Sequence, residues 1–504
     1  MKRLSCILCT MALVGFSMSA IAANDGSAEA EPKVESVFAS STDKAWDAGA
    51  AKGAATTSKV VDHLQNHYKL YGFIRNYMAY DSRESVSGAG DLFYYLPKDV
   101  NLNEFGDDLN RADQFRYLSL TTRVGLDVTG YQIKNTAISA KVEADFYGGL
   151  SGVTGVAQLR LRQAYMKFAW DNLTMDRGKS TANVSLLMGQ AWHPMAADLC
   201  PVISLASGAP FGPFSRTPQV TMEAWLGNHF AITASALWQM QYTSAGPAGS
   251  SADYIKYSCT PEAYIGFTAK AGGFMAKTGI DILSIKPRRT GTAYYYPEDA
   301  VIALVPKSTT VKVSDRITTF SPFLYMQYVK GKFSVKGKTI FAAAGEHMNI
   351  QGGYGITEKF NDAGEDGHYE YTPTYSSSTW LTVSYGKKWQ PSLMLGYYEN
   401  LGTFEDLYST RDDGKVDADD FFFSKNSFKN LNRMYRIVPY LCYNIGKFTV
   451  GLEYELTAAQ FGTPEKDTLP LLGDVVLYNS RGLATEGLHW VMNHRVQAMF
   501  KFNF

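Results

Sequence analysis

The sequence predicts an all-β fold: a transmembrane antiparallel β-barrel of about 16 strands with short periplasmic turns and long extracellular loops. Three observations predict it. The chain opens on an export signal. No later stretch reaches the roughly 20 apolar residues that a spanning helix needs. From residue 67 onward, segments alternate between apolar and polar side chains, and their length of about ten residues suits a tilted membrane strand.

The signal comes first. Lys2 and Arg3 give a basic start, Leu4 to Met18 is mostly apolar, and Ala20-Ile21-Ala22 is a small-x-small cleavage box, so the mature chain is expected to begin near Ala23. Cys6 and Cys9 precede that box, which argues against a lipid anchor. Residues 23–66 are rich in Ala, Ser, Asp, Lys and Gly. Within them Val34, Val37 and Phe38, then Val60, Val61 and Leu64, have helical spacing. A short periplasmic helix or trimerising stalk and a flexible leader both fit. The expected division is therefore a signal peptide over 1–22, a periplasmic leader over 23–66 and the barrel over 67–504.

The last strand carries the pattern most clearly. Trp490, Met492, His494, Val496, Ala498, Phe500, Phe502 and Phe504 share one face, apolar except for His494. Val491, Asn493, Arg495, Gln497, Met499, Lys501 and Asn503 share the other, which is largely polar. Elsewhere Leu118, Leu120, Val124, Leu126 and Val128 are expected on the lipid face, with Ser119, Thr121, Arg123 and Asp127 inside. Ile138, Val142 and Phe146 oppose Lys141, Glu143 and Asp145, and Phe448, Val450 and Leu452 oppose Thr449, Glu453 and Glu455. A slip of one residue would turn each set of charges into lipid, so the pattern fixes the facing. In the segment 157–170, Leu159 and Leu161 face lipid while Gln163, Tyr165 and Lys167 share their phase. A bulge or burial against a neighbouring subunit accounts for such a break.

The gaps test the strand assignment independently. Gaps after even-numbered strands are short, such as Gly227-Asn228 and Gly386-Lys387-Lys388. Those after odd-numbered strands are mostly long: 81–112, 191–216, 286–315, 346–378, 400–433 and 459–488. One missed or invented strand would break this parity, which is that of a barrel with both chain ends in the periplasm. Hydrocarbon admits only helices and closed barrels, because each unpaired backbone group there costs several kcal/mol. About sixteen strands leave an aqueous channel, whereas about eight are filled by side chains.

Function must then be sought inside the barrel. Lys plus Arg and Asp plus Glu both total 48, so no net field favours nucleic acid. The expected pore-lining charges are Arg75, Arg123, Lys141, Glu143, Asp145, Arg160, Arg162, Asp198, Arg436 and Arg495. Arg123, Lys141, Arg160 and Arg162 come from three consecutive strands and should share one wall. They either attract anions or pair with Asp127, Glu143 and Asp145 on the same strands. The loop 191–216 is rich in Pro, Gly and apolar residues. It either folds inward and narrows the lumen, with Asp198 facing the arginine wall, or packs over the mouth or against a partner. Cys200 in that loop and Cys259 on the same side of the membrane form either a disulfide or two free thiols, and Cys442 is expected to be unpaired.

No catalytic, cofactor or metal motif emerges. The acidic run from Asp412 to Asp420 lacks EF-hand spacing and reads as a solvated loop, as does Asn361 to Gly367. Eight histidines are scattered, none in a Gly-x-Ser-x-Gly turn or a His-Glu-x-x-His helix, so an enzyme is not expected. The short leader leaves no room for the plug domain of an energised receptor. A gated, structural or adhesive barrel that binds a partner through its outer loops stays open as the alternative to a passive pore for small hydrophilic solutes.

Four stretches carry a family resemblance: Leu70-Tyr71-Gly72-Phe73-Ile74-Arg75, Val142-Glu143-Ala144-Asp145-Phe146-Tyr147-Gly148, Leu159-Arg160-Leu161-Arg162-Gln163-Ala164-Tyr165 and Gly189-Gln190-Ala191-Trp192. Together they resemble the DcaP-like outer-membrane porins of Gram-negative bacteria. They cover the first five strands, and the remaining barrel agrees in pattern and in its terminal Phe504. The resemblance implies a sixteen-stranded homotrimer in the outer membrane, with an N-terminal periplasmic segment. It also implies a preference for small anionic solutes such as dicarboxylates, with Arg75, Arg160 and Arg162 as pore-wall basic residues. The Ala-rich leader lacks a sustained heptad and so departs from a coiled-coil stalk.

Overall fold

The computed structural model describes residues 67–88, 93–147, 158–175, 180–296, 306–423, 429–469 and 473–504. The expected signal peptide and leader lie outside them, as does the tip of the second outer loop.

Sixteen antiparallel strands form the cylinder: β1 Tyr68–Asp81, β2 in two pieces Gln114–Leu118 and Arg123–Ile133, β3 Thr136–Tyr147, β4 Gln158–Met175, β5 Ser180–Trp192, β6 Arg216–Leu226, β7 Phe230–Leu237 and β8 Glu262–Ala271 on one half. The other half holds β9 Phe274–Ile285, β10 Ile317–Lys330, β11 Phe333–Ala343, β12 Tyr369–Tyr385, β13 Trp389–Thr403, β14 Leu431–Ile445, β15 Phe448–Thr463 and β16 Glu486–Asn503. Neighbours in sequence are neighbours in the sheet, and β1 pairs with β16, Phe73 opposite Asn503 and Asp81 opposite Arg495. That closure leaves no strand edge to meet hydrocarbon. Every expected strand is present and the turn parity holds: turns such as Gly227 and Gly446 sit on the short side at positive φ, which glycine adopts without strain.

The two faces separate as period 2 dictates. Leu70, Ile74, Val142, Leu159, Met222, Leu452 and Val496 are exposed on the outside, while Glu143, Asp145, Glu453, Glu455, Arg495 and Gln497 are buried inside. Tyr385, Trp389, Phe448 and Phe502 are exposed near the short-turn rim, where an aromatic belt meets lipid headgroups.

Two irregularities change the phase. In β4 Glu143 pairs with Gln163 but Ala144 pairs with Leu161, so Arg162 is a bulged extra residue. The bulge puts both Arg160 and Arg162 inside and turns Tyr165 and Lys167 inward after Leu159 and Leu161 have faced out, which resolves the mixed phase of this strand. The break in β2 corrects the facing expected before it. Leu118 is buried inward and Leu120 packs against the inner core, whereas Ser119 is exposed and Phe115 and Tyr117 take the outer face. The four residues between the two pieces of β2 shift its register against β1, from Tyr77 opposite Leu118 to Phe73 opposite Arg123.

Eight connections lie on the long-loop side. Three bear on the site: L1 (82–113), L3 (193–215) and L6 (344–368). L1 and L3 carry much of the buried apolar core, including Tyr95, Leu96, Met195, Ile203 and Phe211, so the core lies within the cylinder. Among the described residues no helix is long and apolar enough to cross a membrane.

Candidate functional site

L3 leaves β5 at Trp192 and returns at Arg216, with its ends tied by the His193 N–H to the Ser215 carbonyl at 3.1 Å. Between them Met195, Ala196, Cys200, Ile203, Ala206 and Phe211 are all 3 % exposed or less, so the loop lies inside the barrel. Its apolar side chains need room on the wall, and wall glycines supply it. A Cβ on Gly396 would stand 2.7 Å from the Phe211 ring, and one on Gly451 would stand 2.6 Å from Ile203 Cδ1.

L3's backbone polar groups need partners away from water, and charged wall side chains provide them. Lys338 of β11 donates to the carbonyls of Met195 (2.8 Å) and Asp198 (2.7 Å). Glu453 of β15 accepts the N–H groups of Ile203 (2.6 Å) and Ser204 (3.2 Å). Arg436 of β14 donates to Ala209 O (2.9 Å) and to Tyr95 O of L1 (2.6 Å). Arg75 donates to the Ile203 carbonyl and Tyr440 to that of Pro201.

Asp198 corrects the expectation that it faces the arginine wall. It bonds Lys277 of β9 at 2.9 Å, on the wall that also carries Lys336 and Lys338. Burial raises its carboxyl, but the ammonium groups of Lys277, Lys338 and Lys336 outweigh burial and hold it below the ordinary carboxylate range. Lys277 went unnoticed in the sequence, although strand phase places it on the same face as Asp281.

The arginine wall spans β1 to β6. Arg160 makes a two-pronged contact with Asp145 (2.9 and 3.1 Å), and Arg162 bonds Glu143 at 2.8 Å and also reaches Asp145. Arg123 stands 3.7 Å from Glu143 and 3.9 Å from Asp145, over the Phe73 ring. Lys141 pairs with Asp127 at 2.9 Å. Arg216 joins this wall, its guanidinium 4.9 Å from the Trp192 ring centre and bonded to Gln241. Simple alternation from Gln219 and Thr217 would turn Arg216 outward, so strand phase could not find it. Four guanidinium groups (Arg123, Arg160, Arg162, Arg216) thus gather about the two carboxylates of Glu143 and Asp145, and Arg75, whose own carboxylate neighbour is Glu453, adds a fifth beside Arg123. The Nε atoms of Arg75 and Arg123 and Nη1 of Arg216 are buried without a hydrogen-bond partner. Pairing on the wall is therefore extensive but leaves positive charge over.

The remaining expected pore charges sit elsewhere. Arg495 bonds Asp81 (2.7 Å) and Glu455 (3.1 Å), and Arg436 lies 3.3 Å from Glu455. Both arginines are almost wholly buried, in a network that also takes in Arg116, 3.3 Å from Asp81. The possible disulfide is corrected: Cys200 and Cys259 are free. Cys200 is buried against Gly208 within L3, whereas Cys259 is exposed at the end of the short helix Asp253–Ser258 in the fourth outer loop. Cys442 is also free.

The architecture has known counterparts among solved structures. The outer membrane channel DcaP of Acinetobacter baumannii superposes with a TM-score of 0.55 at 15% identity, covering 87% of this chain and 97% of that one. The fold is that of the DcaP channel. An anion-selective porin from Comamonas acidovorans is more distant, with a TM-score of 0.47 at 12% identity over 87% of this chain and 99% of that one. No protein-family model matches the sequence, and a comparison with curated proteins finds no match.

Proposed function

We propose that the chain is an outer-membrane porin: a passive channel for small hydrophilic solutes with a preference for anions, working as a homotrimer in the lipid bilayer. The observation that carries this reading is the surplus of guanidinium groups on one wall of a closed sixteen-stranded barrel. Side-chain exposures of 15 % for Arg123 and 19 % for Arg160 put them nearer the aqueous lumen than Arg162, at 6 %. Charges beside a narrow water-filled passage are weakly screened, and a surplus of one sign enriches the counter-ion. Small carboxylates suit guanidinium pairs, which bind them two-pronged. The resemblance of residues 159–165 to the DcaP-like porins supports the same solute class. In this reading the chain is a channel, not an enzyme.

One observation favours a second reading. L3 fills the lumen with almost wholly buried apolar side chains, so the barrel can equally serve as a channel that opens when L3 moves. Single-channel recording in a planar bilayer under a salt gradient separates the two. Stepwise conductance with an anion-directed reversal potential is the expected result. A cation-directed potential would overturn the anion preference. Silence from protein with the gel mobility of a closed barrel would leave the gated reading.

A further inference from the structure

A second cluster of ionisable groups lies where L3 and L6 meet the wall, away from the arginines. His193 stands at the root of L3, Glu262 on β8, Asp281 on β9 and His347 in L6, and all four are 2 % exposed or less. The donor atoms of His193, Glu262 and Asp281 lie within 4.8 Å of one another. His347 Nε2 is 3.3 Å from Asp281 Oδ2 and 3.7 Å from Glu262 Oε1.

The two imidazoles are oriented oppositely by their other nitrogens. His193 Nδ1 accepts the Met195 N–H at 3.2 Å, which places its proton on Nε2 and makes it a donor to Glu262 Oε1 at 2.6 Å. His347 Nδ1 donates to the Ala344 carbonyl at 3.1 Å, which turns the Nε2 lone pair toward Asp281 and Glu262. A lone pair facing two carboxylates is repelled unless a proton or a metal ion stands between them. One proton leaves the enclosed group one positive charge short, since His193 is then neutral and both carboxylates are ionised. Two buried carboxylate oxygens, Glu262 Oε2 and Asp281 Oδ1, also lack a hydrogen-bond partner, the latter standing 3.6 Å from His193 Nε2.

We propose that this cluster binds one divalent transition-metal ion of the zinc class. Its ligands are His347 Nε2, Asp281 and Glu262, the unpartnered oxygens allow two-pronged coordination, and His193 holds Glu262 in place. Zinc–ligand bonds of about 2.0–2.2 Å in a tetrahedron set donors roughly 3.3–3.6 Å apart, close to the 3.3 and 3.7 Å that separate His347 Nε2 from the two carboxylates. The Nδ1–H to carbonyl bond of His347 is the outer contact that fixes a metal-binding imidazole. The ion clamps L6 to β8 and β9 and, through His193 and the Phe214 N–H to Met348 carbonyl bond (2.8 Å), L3 as well.

The test uses the mature protein, expressed without a polyhistidine tag, stripped with a chelator and then loaded with Zn²⁺ or Co²⁺. Elemental analysis after gel filtration should find stoichiometric zinc, and the cobalt form should absorb in the visible. His347→Gln and Asp281→Asn should each weaken retention by about tenfold or more, while His368→Gln, elsewhere in L6, should retain it. The wild-type measurement stands even where a variant fails to fold. Wild-type protein that runs as a closed barrel on an unheated gel yet keeps no zinc and gives no cobalt band would overturn the proposal, leaving a proton-bridged histidine–carboxylate network.

Discussion

The two sides of the lumen use the same residue types differently. On the arginine wall, from β1 to β6, charged side chains mostly answer one another: Arg160 and Arg162 to Asp145 and Glu143, Lys141 to Asp127. On the strands outside that wall, Lys338 of β11, Glu453 of β15 and Arg436 of β14 spend hydrogen bonds on the backbone of L3. The first arrangement leaves surplus charge beside the passage. The second turns charge into an anchor, because a backbone group inside the cylinder is costly without a partner. A lumen-facing lysine or arginine is therefore not by itself a selectivity residue; its partner decides.

Substitutions on either wall can break this contrast. The largest effect is expected from Arg160→Gln combined with Arg162→Gln, which removes two of the five guanidinium groups. The anion-over-cation permeability ratio should fall by roughly threefold or more, given how strongly charge acts in a narrow polar passage. An unchanged reversal potential would refute the role given to that wall. Next comes Lys338→Met, which strips two charge-assisted bonds from L3. It should cost about 2–4 kcal/mol and lower the temperature at which the folded band disappears on a gel. It should also raise current noise without reversing selectivity. If selectivity inverts instead, the anchoring wall also selects. The smallest effect concerns acid. Asp198 titrates below its unfolded value in the closed barrel. Its clamp on Lys277 is therefore fully present above the unfolded value and is lost as pH falls through the depressed one. L3-related noise should stay constant from neutral pH downward and rise only below about pH 4. Noise that rises already near pH 6 would assign the fluctuation to another group.

Period 2 carried most of the fold, because a membrane barrel forces every strand to show one apolar and one polar face. It failed where the backbone departs from that period. Leu118 was misplaced because the break in β2 changes the phase, and no residue type there announces it. At Arg162 the inconsistency was visible, since Leu161 and Gln163 cannot both face lipid. The site was less legible. Glu143, Asp145, Arg160 and Arg162 come from adjacent strands, and adjacency follows from order along the chain. Asp198 meeting Lys277, or His193 meeting His347, depends on where a loop lies across the lumen, and no local pattern encodes that. The fate of Cys200 and Cys259 turned on the same missing distance.

The seam between β1 and β16, where Ile74 meets Phe502, joins segments more than four hundred residues apart. L3 takes its partners from β1, β9, β11, β14 and β15, strands that surround it only once that seam has formed. Such long-range pairings are slow to form, since the loop-closure entropy precedes any contact that offsets it. The order of assembly follows: the narrowing of the lumen by L3 is the last feature to arise, so an unfinished sheet is a wide sheet, and the seated loop doubles as a marker of completed closure.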